Sequence, residues 1–183
     1  MSGALESLEI RRPAVFLIVD VQRGFVNEHT AAVPAEIERF LDGRGAEFER
    51  IFASRFVNEQ DSGFRRLIEW DGLTGSPETD LCPEIERFPL EVLDKHVYSS
   101  MTGDFVDRLR GEAIQDVYLA GIDTDICVMH NAMDAFDAGL TPWVLAPLCR
   151  SHAGPELHRA ALSILRRGIG GNQVIGYEPP DVP

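Results

Sequence analysis

Lysine, cysteine and long apolar runs are all scarce in this chain. Only one of its 17 basic residues is a lysine, Lys95, and only three of its residues are cysteines. A small, odd number of cysteines does not build a disulfide framework and favours a reducing compartment. No apolar run approaches the roughly 18 residues of a membrane-spanning helix, and residues 1–6 lack the basic and apolar regions of a signal peptide. We therefore expect a cytoplasmic protein.

Positive charge is also in deficit. The formal net charge of −13 at pH 7 argues against a nucleic-acid partner and against binding to an anionic membrane. Dinucleotide binding has no support, because no G-x-G-x-x-G motif follows the first apolar segment. We expect a small-molecule partner, and an anionic one would need a local cluster of positive charge. With 183 residues, 44% of them hydrophobic, the chain is expected to form a single domain over residues 1–183.

Predicted strands and helices alternate along the chain. Continuous apolar segments such as residues 14–19 are typical of strands that are buried on both faces of a parallel sheet. The predicted strands lie near 14–20, 48–54, 91–95, 117–121, 141–146 and 173–175, and the predicted helices near 34–43, 62–69, 102–110, 124–138 and 154–167. This alternation predicts an α/β fold in which right-handed crossovers join parallel strands. Residues 71–90 are interpreted as an excursion over the surface.

Three reactive side chains stand at the ends of predicted strands. Asp20 closes the first strand, Lys95 ends the third, and Cys127 follows the fourth at the start of a helix. Since ligands of open α/β sheets bind at the carboxyl ends of the strands, these side chains are expected to meet in one cleft. The helix start is expected to depress the pKa of Cys127 and to offer N–H groups to an oxyanion. Because the chain otherwise uses arginine, its one lysine indicates a role for a compact ammonium.

Three motifs carry these residues: FLIVDVQRGF at 16–25, DKHVYSSM at 94–101 and AGIDTDICVMHNAMDAFDAG at 120–139. In their order and separation they resemble the motifs of the isochorismatase-like cysteine hydrolases, which include nicotinamidases, N-carbamoylsarcosine amidases, ureidoacrylate hydrolases and isochorismatases. The resemblance spans nearly the whole chain. It implies a three-layer α/β/α, Rossmann-like fold with a mostly parallel six-stranded sheet of order 3-2-1-4-5-6. It also implies a homo-oligomer, either a dimer or a tetramer.

The same resemblance implies the roles of individual residues. Asp20, Lys95 and Cys127 would form a catalytic triad, and the peptide bond between Ile122 and Asp123 would be cis. The backbone N–H groups of Asp123 and Cys127 would form the oxyanion hole. The implied reaction cleaves the C–N bond of a small amide, carbamoyl or ureido substrate through a thioester on the cysteine, with the aspartate as acid and base. No cofactor is expected.

Several flanking residues are candidates for the substrate pocket. Phe25 matches an aromatic residue with which the family walls its substrate, and Gln22 matches a polar position suited to orient the Asp20 carboxylate. Arg55 is a candidate for binding a substrate carboxylate, because its planar fork suits bidentate pairing. Four further candidates lie on loops that leave the second and third strands, where substrate contacts are expected: Phe56, Asn58, Tyr98 and Met101. Packing, or solvation for the arginine, is the alternative interpretation of each.

A metal site is not expected. In nicotinamidases, Asp and His ligands follow the second strand, whereas residues 51–61 of this chain contain no histidine. The five histidines show no paired ligand spacing and are interpreted as solvated or locally hydrogen-bonded. Of these, His96 and His130 are of most interest, because each neighbours a triad candidate. Cys82 and Cys149 are interpreted as structural cysteines.

Two other functions remain open. Isochorismatases hydrolyse a vinyl ether by protonation from the aspartate, and several members of that branch lack the cysteine, so Asp20 would suffice for that reaction. The presence of Cys127 favours C–N cleavage. The second alternative is a catalytically silent relative that binds a small ligand. Such a relative would usually have lost one of the three reactive groups, and all three are present here.

Overall fold

The computed structural model of the chain describes residues 3–178. The strands are β1 (Ala14–Val19), β2 (Arg50–Phe56), β3 (Glu91–Lys95), β4 (Asp116–Ile122), β5 (Thr141–Arg150) and β6 (Val174–Ile175). The helices are α1 (Gly3–Glu6), α2 (Val33–Arg44), α3 (Gly63–Ile68), α4 (Pro83–Glu86), α5 (Gly103–Gly111), α6 (Met129–Asp137) and α7 (Pro155–Ile169). The strands form one parallel sheet of order β3-β2-β1-β4-β5-β6, which confirms the predicted fold class and strand order.

Two apolar clusters cover the two faces of this sheet. Every residue of β1 is buried, and its side chains alternate between the clusters. Val15 and Leu17 pack with residues of α5, α6 and α7, whereas Phe16 and Ile18 pack with residues of α1, α2 and α4. A strand covered on both faces has no solvent side, which explains its uninterrupted apolar sequence.

Among residues 3–178, no helix combines the length and the apolarity that a bilayer crossing requires.

Strand β5 is longer than predicted. The prediction ended it near residue 146, but the strand runs on to Arg150. Its pairing with β4 shifts between Leu119 and Gly121, so that a bulge accommodates the proline and Cys149 still pairs with Gly121. Cys149 therefore lies inside a strand and is fully buried, as expected of a structural cysteine.

The segment 71–90 is more than a surface excursion. It forms α4, and it buries Leu73, Leu81 and Ile85. Its backbone also bonds to the loop that follows β1, since the Gly24 N–H donates to Glu78 O at 2.9 Å. Isolated apolar residues within a polar stretch show no periodicity, so the sequence pattern did not indicate this packing.

Candidate active site

The carboxyl edge of the sheet brings the predicted triad together. Asp20 directly follows β1, Lys95 is the last residue of β3, and Cys127 lies in a single π-helical turn, Thr124–Val128, between β4 and α6. Glycine is required near the end of β4, because a Cβ on Gly121 would lie 2.1 Å from Val19 O. This close approach of β4 to β1 sets the cysteine turn beside the aspartate.

Asp20 and Lys95 form a buried ion pair. The Lys95 Nζ lies 2.6 Å from Asp20 Oδ2, and both side chains are almost wholly buried. The ammonium also donates to the carbonyl oxygens of Val97 at 3.1 Å and Tyr98 at 2.7 Å. Three oxygens thus lie within 3.1 Å of Nζ, and such partners offset the cost of burying the charge.

Ser54 fixes the orientation of the Asp20 carboxylate. Its hydroxyl donates to Asp20 Oδ1 at 2.7 Å and accepts from the Asp20 N–H at 3.2 Å. The register of the sheet explains the contact, because Ser54 pairs with Val19, the residue before the aspartate. Asp20 itself has a φ of +49°, a conformation that aspartate tolerates better than most residues. The sequence pattern did not single out Ser54.

Cys127 is a buried thiol on which the charges of Asp20 and Lys95 both act. Burial raises its pKa well above the usual thiol range, the Asp20 carboxylate raises it further, and the Lys95 ammonium lowers it. The prediction of a depressed pKa for Cys127 is therefore wrong. The position at a helix start was visible in the sequence, but the burial and the negative charge of Asp20 were not. The arrangement holds a neutral thiol next to a base.

Backbone hydrogen bonds and one side-chain contact hold the turn that carries Cys127. The Asp123 carbonyl accepts from the N–H groups of Ile126 at 3.2 Å and Val128 at 2.9 Å. The peptide bond between Ile122 and Asp123 is cis. At the side of the turn, Thr124 Oγ1 lies 2.8 Å from His158 Nδ1 on α7. Burial lowers the pKa of His158 to about 4, so this imidazole is neutral at neutral pH.

A cavity of about 260 Å³ opens above the cysteine. Its walls are mostly aromatic: the Trp70 ring stacks on Phe56 at a centroid distance of 5.9 Å and on Phe25 at 6.0 Å. The lining residues are Phe25, Phe56, Phe64, Ile68, Trp70, Tyr98, Asp123, Ile126, Cys127 and His152. Such walls suit a small planar or apolar group held next to the thiol.

Three of the seven predicted pocket residues line this cavity, namely Phe25, Phe56 and Tyr98. The cavity wall also contains Phe64 and Trp70, which the sequence interpretation missed. Both belong to the stretch after β2, which reaches the site through the packing of Phe64 against Phe56, at a centroid distance of 4.8 Å, and through the stacking of Trp70.

Gln22 and Asn58 do not line the cavity and hold backbone instead. The Gln22 amide donates to Phe56 O and Thr79 O, both at 2.9 Å, and accepts from the Phe56 N–H at 2.8 Å. Its predicted role of orienting Asp20 falls to Ser54. The Asn58 amide donates to Trp70 O at 2.9 Å and Gly72 O at 3.1 Å, so it anchors the cavity wall from behind.

Arg55 and Met101 also lie outside the cavity lining. Arg55 pairs through two nitrogens with Asp94, at 2.6 and 3.0 Å, on an exposed part of the sheet edge. Its fork is already used by a carboxylate of the protein and is not turned towards the cysteine cavity. Met101 packs against the core cluster that contains α5 and α6. The packing and ion-pair alternatives therefore describe these two residues.

His152 is a polar cavity residue that the sequence interpretation overlooked. Its Nδ1 contacts Asp123 Oδ2, and its backbone N–H donates to Asp123 Oδ1 at 2.6 Å. The hydrogen bond to Asp123 raises the pKa of His152. The residues are far apart in sequence, so only the folded chain reveals the pair. It gives the aromatic cavity one polar wall.

The two histidines of most interest in the sequence each contact a backbone carbonyl oxygen, which is local for His130 but lies 39 residues earlier in the chain for His96. His96 Nδ1 lies 3.0 Å from Val57 O, and His130 Nδ1 lies 2.8 Å from Ile126 O. Within residues 3–178 no group of three or more His, Cys, Asp or Glu side chains is arranged to hold a metal ion. The donors around β2 therefore do not fit the metal site of nicotinamidases, and no chemistry is assigned to a metal here.

Comparison with known proteins identifies the family. The model of the isochorismatase domain matches residues 14–176, and the chain belongs to this family. It is 38% identical over 79 residues to PncA of Bacillus subtilis, described as an uncharacterised isochorismatase family protein, covering 43% of each chain. It is 36% identical over 77 residues to a nicotinamidase of Acinetobacter baylyi, covering 42% of this chain and 34% of that one. The match thus spans less than half the length of either relative.

Solved structures support the fold over a longer stretch. An isochorismatase-like hydrolase from Alkaliphilus metalliredigens superposes with a TM-score of 0.75 at 18% identity, covering 86% of this chain and 92% of that one. At this identity the likeness concerns the fold, and the chemistry has to be argued from the side chains.

Proposed function

We propose that this chain is a cysteine hydrolase that cleaves the C–N bond of a small amide, carbamoyl or ureido substrate. The observation that carries the proposal is the buried ion pair of Asp20 and Lys95, whose charges both act on the Cys127 thiol, while Cys127 itself lines an aromatic cavity. A nucleophile, a base and a fixed cation are the groups that acyl transfer needs. Membership of the isochorismatase family and similarity to a nicotinamidase support the same reaction class.

In the first half of the proposed reaction, Asp20 accepts the thiol proton as Cys127 Sγ attacks the carbonyl carbon. The raised pKa of Cys127 makes this transfer necessary, because little thiolate is present before the substrate binds. The carbonyl oxygen becomes an oxyanion, for which the N–H groups of Asp123 and Cys127 are the proposed donors. The protonated Asp20 then gives its proton to the leaving nitrogen. The C–N bond breaks, and ammonia or an amine departs from a thioester on Cys127.

In the second half, a water molecule replaces the departed amine. The oxygen of this water attacks the thioester carbon while Asp20 takes one of the water protons, and the C–S bond then breaks. The proton returns to the Cys127 sulfur, and the carboxylic acid leaves. Lys95 keeps its charge throughout and stabilises the ionised Asp20 at the start of each half-reaction.

The cavity narrows the proposed substrate class. Aromatic rings form most of its wall, and its volume of about 260 Å³ accommodates a small molecule. The polar pair of Asp123 and His152 offers a hydrogen-bonding group in the same cavity wall. We therefore expect primary amides on a small planar group to be better substrates than long-chain or highly charged amides.

Ammonia release from a panel of primary aromatic amides, N-carbamoyl amino acids and ureido acids tests the proposal. Wild type is expected to hydrolyse at least one of them, and Cys127→Ala is expected to lose at least about 10³-fold in kcat. Cys82→Ala is the matched control, because Cys82 is also buried but lies outside the cavity. Retention of amide hydrolysis by Cys127→Ala would overturn the nucleophilic mechanism.

Cys127→Ala and a second variant, Asp20→Asn, separate the alternative functions. A vinyl-ether hydrolase that uses Asp20 as its acid would keep its activity in Cys127→Ala and lose it in Asp20→Asn. A silent ligand-binding relative would turn over no amide and no vinyl ether as wild type.

A further inference from the structure

Asn131 lies on α6, four residues after Cys127, and is fully buried. Both ends of its carboxamide make hydrogen bonds. Nδ2 donates to Cys127 O at 2.8 Å and makes a longer contact with Tyr98 O at 3.4 Å. Oδ1 accepts from the backbone N–H of Ser100 at 3.0 Å and from its hydroxyl at 2.6 Å. The backbone partners on each side fix which end of the amide is the donor.

These contacts connect Asn131 to two triad members at once. Tyr98 O, the weaker acceptor of the Asn131 amide, is also the closer of the two carbonyl acceptors of the Lys95 ammonium. Cys127 O, the stronger acceptor, belongs to the residue that carries the nucleophile. A single buried amide therefore bridges the main chain of the cysteine turn and the loop that follows β3.

Few side chains could take this place. A buried amide supplies two donors and two acceptor positions within one planar group, and here every one of them has a partner. A leucine of similar volume would fill the space but leave the Ser100 N–H and the Cys127 carbonyl without that partner. A threonine would supply one donor and one acceptor and so preserve part of the bridge.

We propose that Asn131 is a positioning residue of the hydrolytic site, which holds the Cys127 turn and the Lys95 loop at a fixed separation. Its catalytic meaning rests on the proposed function, since the distance it sets matters to hydrolysis only if Cys127 is the nucleophile. Asn131 touches no cavity surface and acts through Lys95 and Cys127. Its loss lets the ammonium and the thiol drift apart, so that the thiolate is less well stabilised.

The test compares Asn131→Leu and Asn131→Thr with Asn58→Leu. Asn58 is a matched control, because it is also a buried amide that donates to two backbone carbonyls, but neither belongs to the triad loops. Two quantities are measured for each variant: kcat and KM for the best amide, and the pH midpoint of Cys127 alkylation by iodoacetamide, resolved by peptide mass. Circular dichroism and thermal unfolding show that each variant is folded.

We expect Asn131→Leu to lower kcat at least about tenfold while KM changes less than about threefold. The alkylation midpoint of Cys127 should rise, and Asn131→Thr should fall between wild type and Asn131→Leu on both scales. Asn58→Leu should raise KM, because it loosens the cavity wall at Trp70, and its Cys127 alkylation midpoint should stay at the wild-type value. A merely structural role of Asn131 would make the two leucine variants alike on both readouts, and that result overturns the proposal.

Failure of this inference and failure of the proposed function are distinguishable. If wild type hydrolyses no amide, the proposed function fails, and the alkylation midpoints still decide the role of Asn131 because they require no substrate. If amides are hydrolysed and Asn131→Leu behaves like Asn58→Leu, only the positioning role fails. Should Asn131→Leu not fold, the comparison of Asn131→Thr with wild type decides in its place.

Discussion

The Lys95 ammonium lies 2.6 Å from Asp20 Oδ2, and water reaches neither side chain appreciably. The chain commits its only lysine to this contact. Guanidinium could not replace the ammonium easily, because it is larger and planar, whereas three oxygens surround Nζ from different directions. The pair is thus built for a compact cation.

Lys95→Met should damage both stability and activity. It leaves the Asp20 carboxylate buried with no cation, and breaking a buried pair in this way costs about 3–5 kcal/mol in the free energy of unfolding. We expect amide hydrolysis to fall at least about 10²-fold. Urea unfolding and steady-state kinetics measure the two effects.

Arg55→Met is the control for that variant. Arg55 and Asp94 form an exposed ion pair on the neighbouring strands, and an exposed pair is worth less than about 1 kcal/mol. An equal loss of stability in the two variants would mean that the burial of the Lys95 pair has no energetic consequence.

Asp20→Asn should lower the pKa of Cys127 and yet abolish hydrolysis. The Asp20 charge raises the pKa of the thiol, while Lys95 lowers it, so removal of the carboxylate charge leaves the favourable cation unopposed. The pH midpoint of Cys127 alkylation is expected to fall relative to wild type. Because the asparagine cannot accept the thiol proton or protonate the leaving nitrogen, kcat falls although the thiolate forms more readily.

Wild-type Cys127 should titrate above the free-thiol value of about 8.5. Burial also raises the pKa of Cys82 to about 11 and that of Cys149 to about 12, and these two thiols serve as internal references in the same peptide map. An alkylation midpoint of Cys127 that is higher in Asp20→Asn than in wild type would contradict the electrostatic account of the site.

Trp70→Ala should weaken substrate binding more than the chemical step. The indole stacks on Phe25 and Phe56 and forms part of the cavity wall. Among the contacts described for residues 3–178, none joins Trp70 to a triad side chain. We expect KM for an aromatic amide to rise about tenfold, with a smaller change in kcat. Phe136→Ala removes a half-exposed ring outside the cavity and is expected to leave KM unchanged. A larger effect on kcat than on KM would place Trp70 in the chemistry.

Acid should destabilise the fold through His158. Its pKa is about 4 in the folded protein, compared with about 6.5 in an unfolded chain. Between these values the unfolded state binds more protons, so stability is lost as the pH falls from about 6.5 towards about 4. His158→Gln removes this titration. The free energy of unfolding of the variant minus that of wild type should therefore be about 1–2 kcal/mol larger at about pH 5 than at about pH 8.

Urea unfolding of both proteins over this pH range measures that difference. His152 contributes with the opposite sign in a different window, because its raised pKa gives stability below about 6.5 that is lost at higher pH. A difference between wild type and His158→Gln that does not vary with pH would contradict a neutral, half-buried His158.

The sequence was informative where local pattern and chain position are linked. Continuous apolar strands predicted the parallel sheet, and the rule that ligands bind at the carboxyl ends of strands put Asp20, Lys95 and Cys127 at one edge. Ser54 was not predictable in this way, because its contact with Asp20 depends on the register between β1 and β2. His152 was missed because its partner Asp123 lies 29 residues earlier in the chain.

The pKa values of the site and the packing of its loops were the properties least predictable from the sequence. The pKa of Cys127 depends on burial and on a carboxylate that arrives from another strand, and neither follows from a position at a helix start. Trp70 reaches the cavity only because Asn58 holds its carbonyl and Phe25 and Phe56 pack against its ring. The cytoplasmic location, the dimer or tetramer and the absence of a cofactor stay predictions.

Intact-mass and peptide-mass analysis of the enzyme, acid-quenched during turnover of its best amide, tests the central claim most directly. The account predicts an adduct on Cys127 with the mass of the substrate acyl group, absent from Cys82 and Cys149 and lost in Cys127→Ala. Two results together would contradict it: Cys127→Ala hydrolyses the amide at the wild-type rate, and wild type carries no acyl adduct.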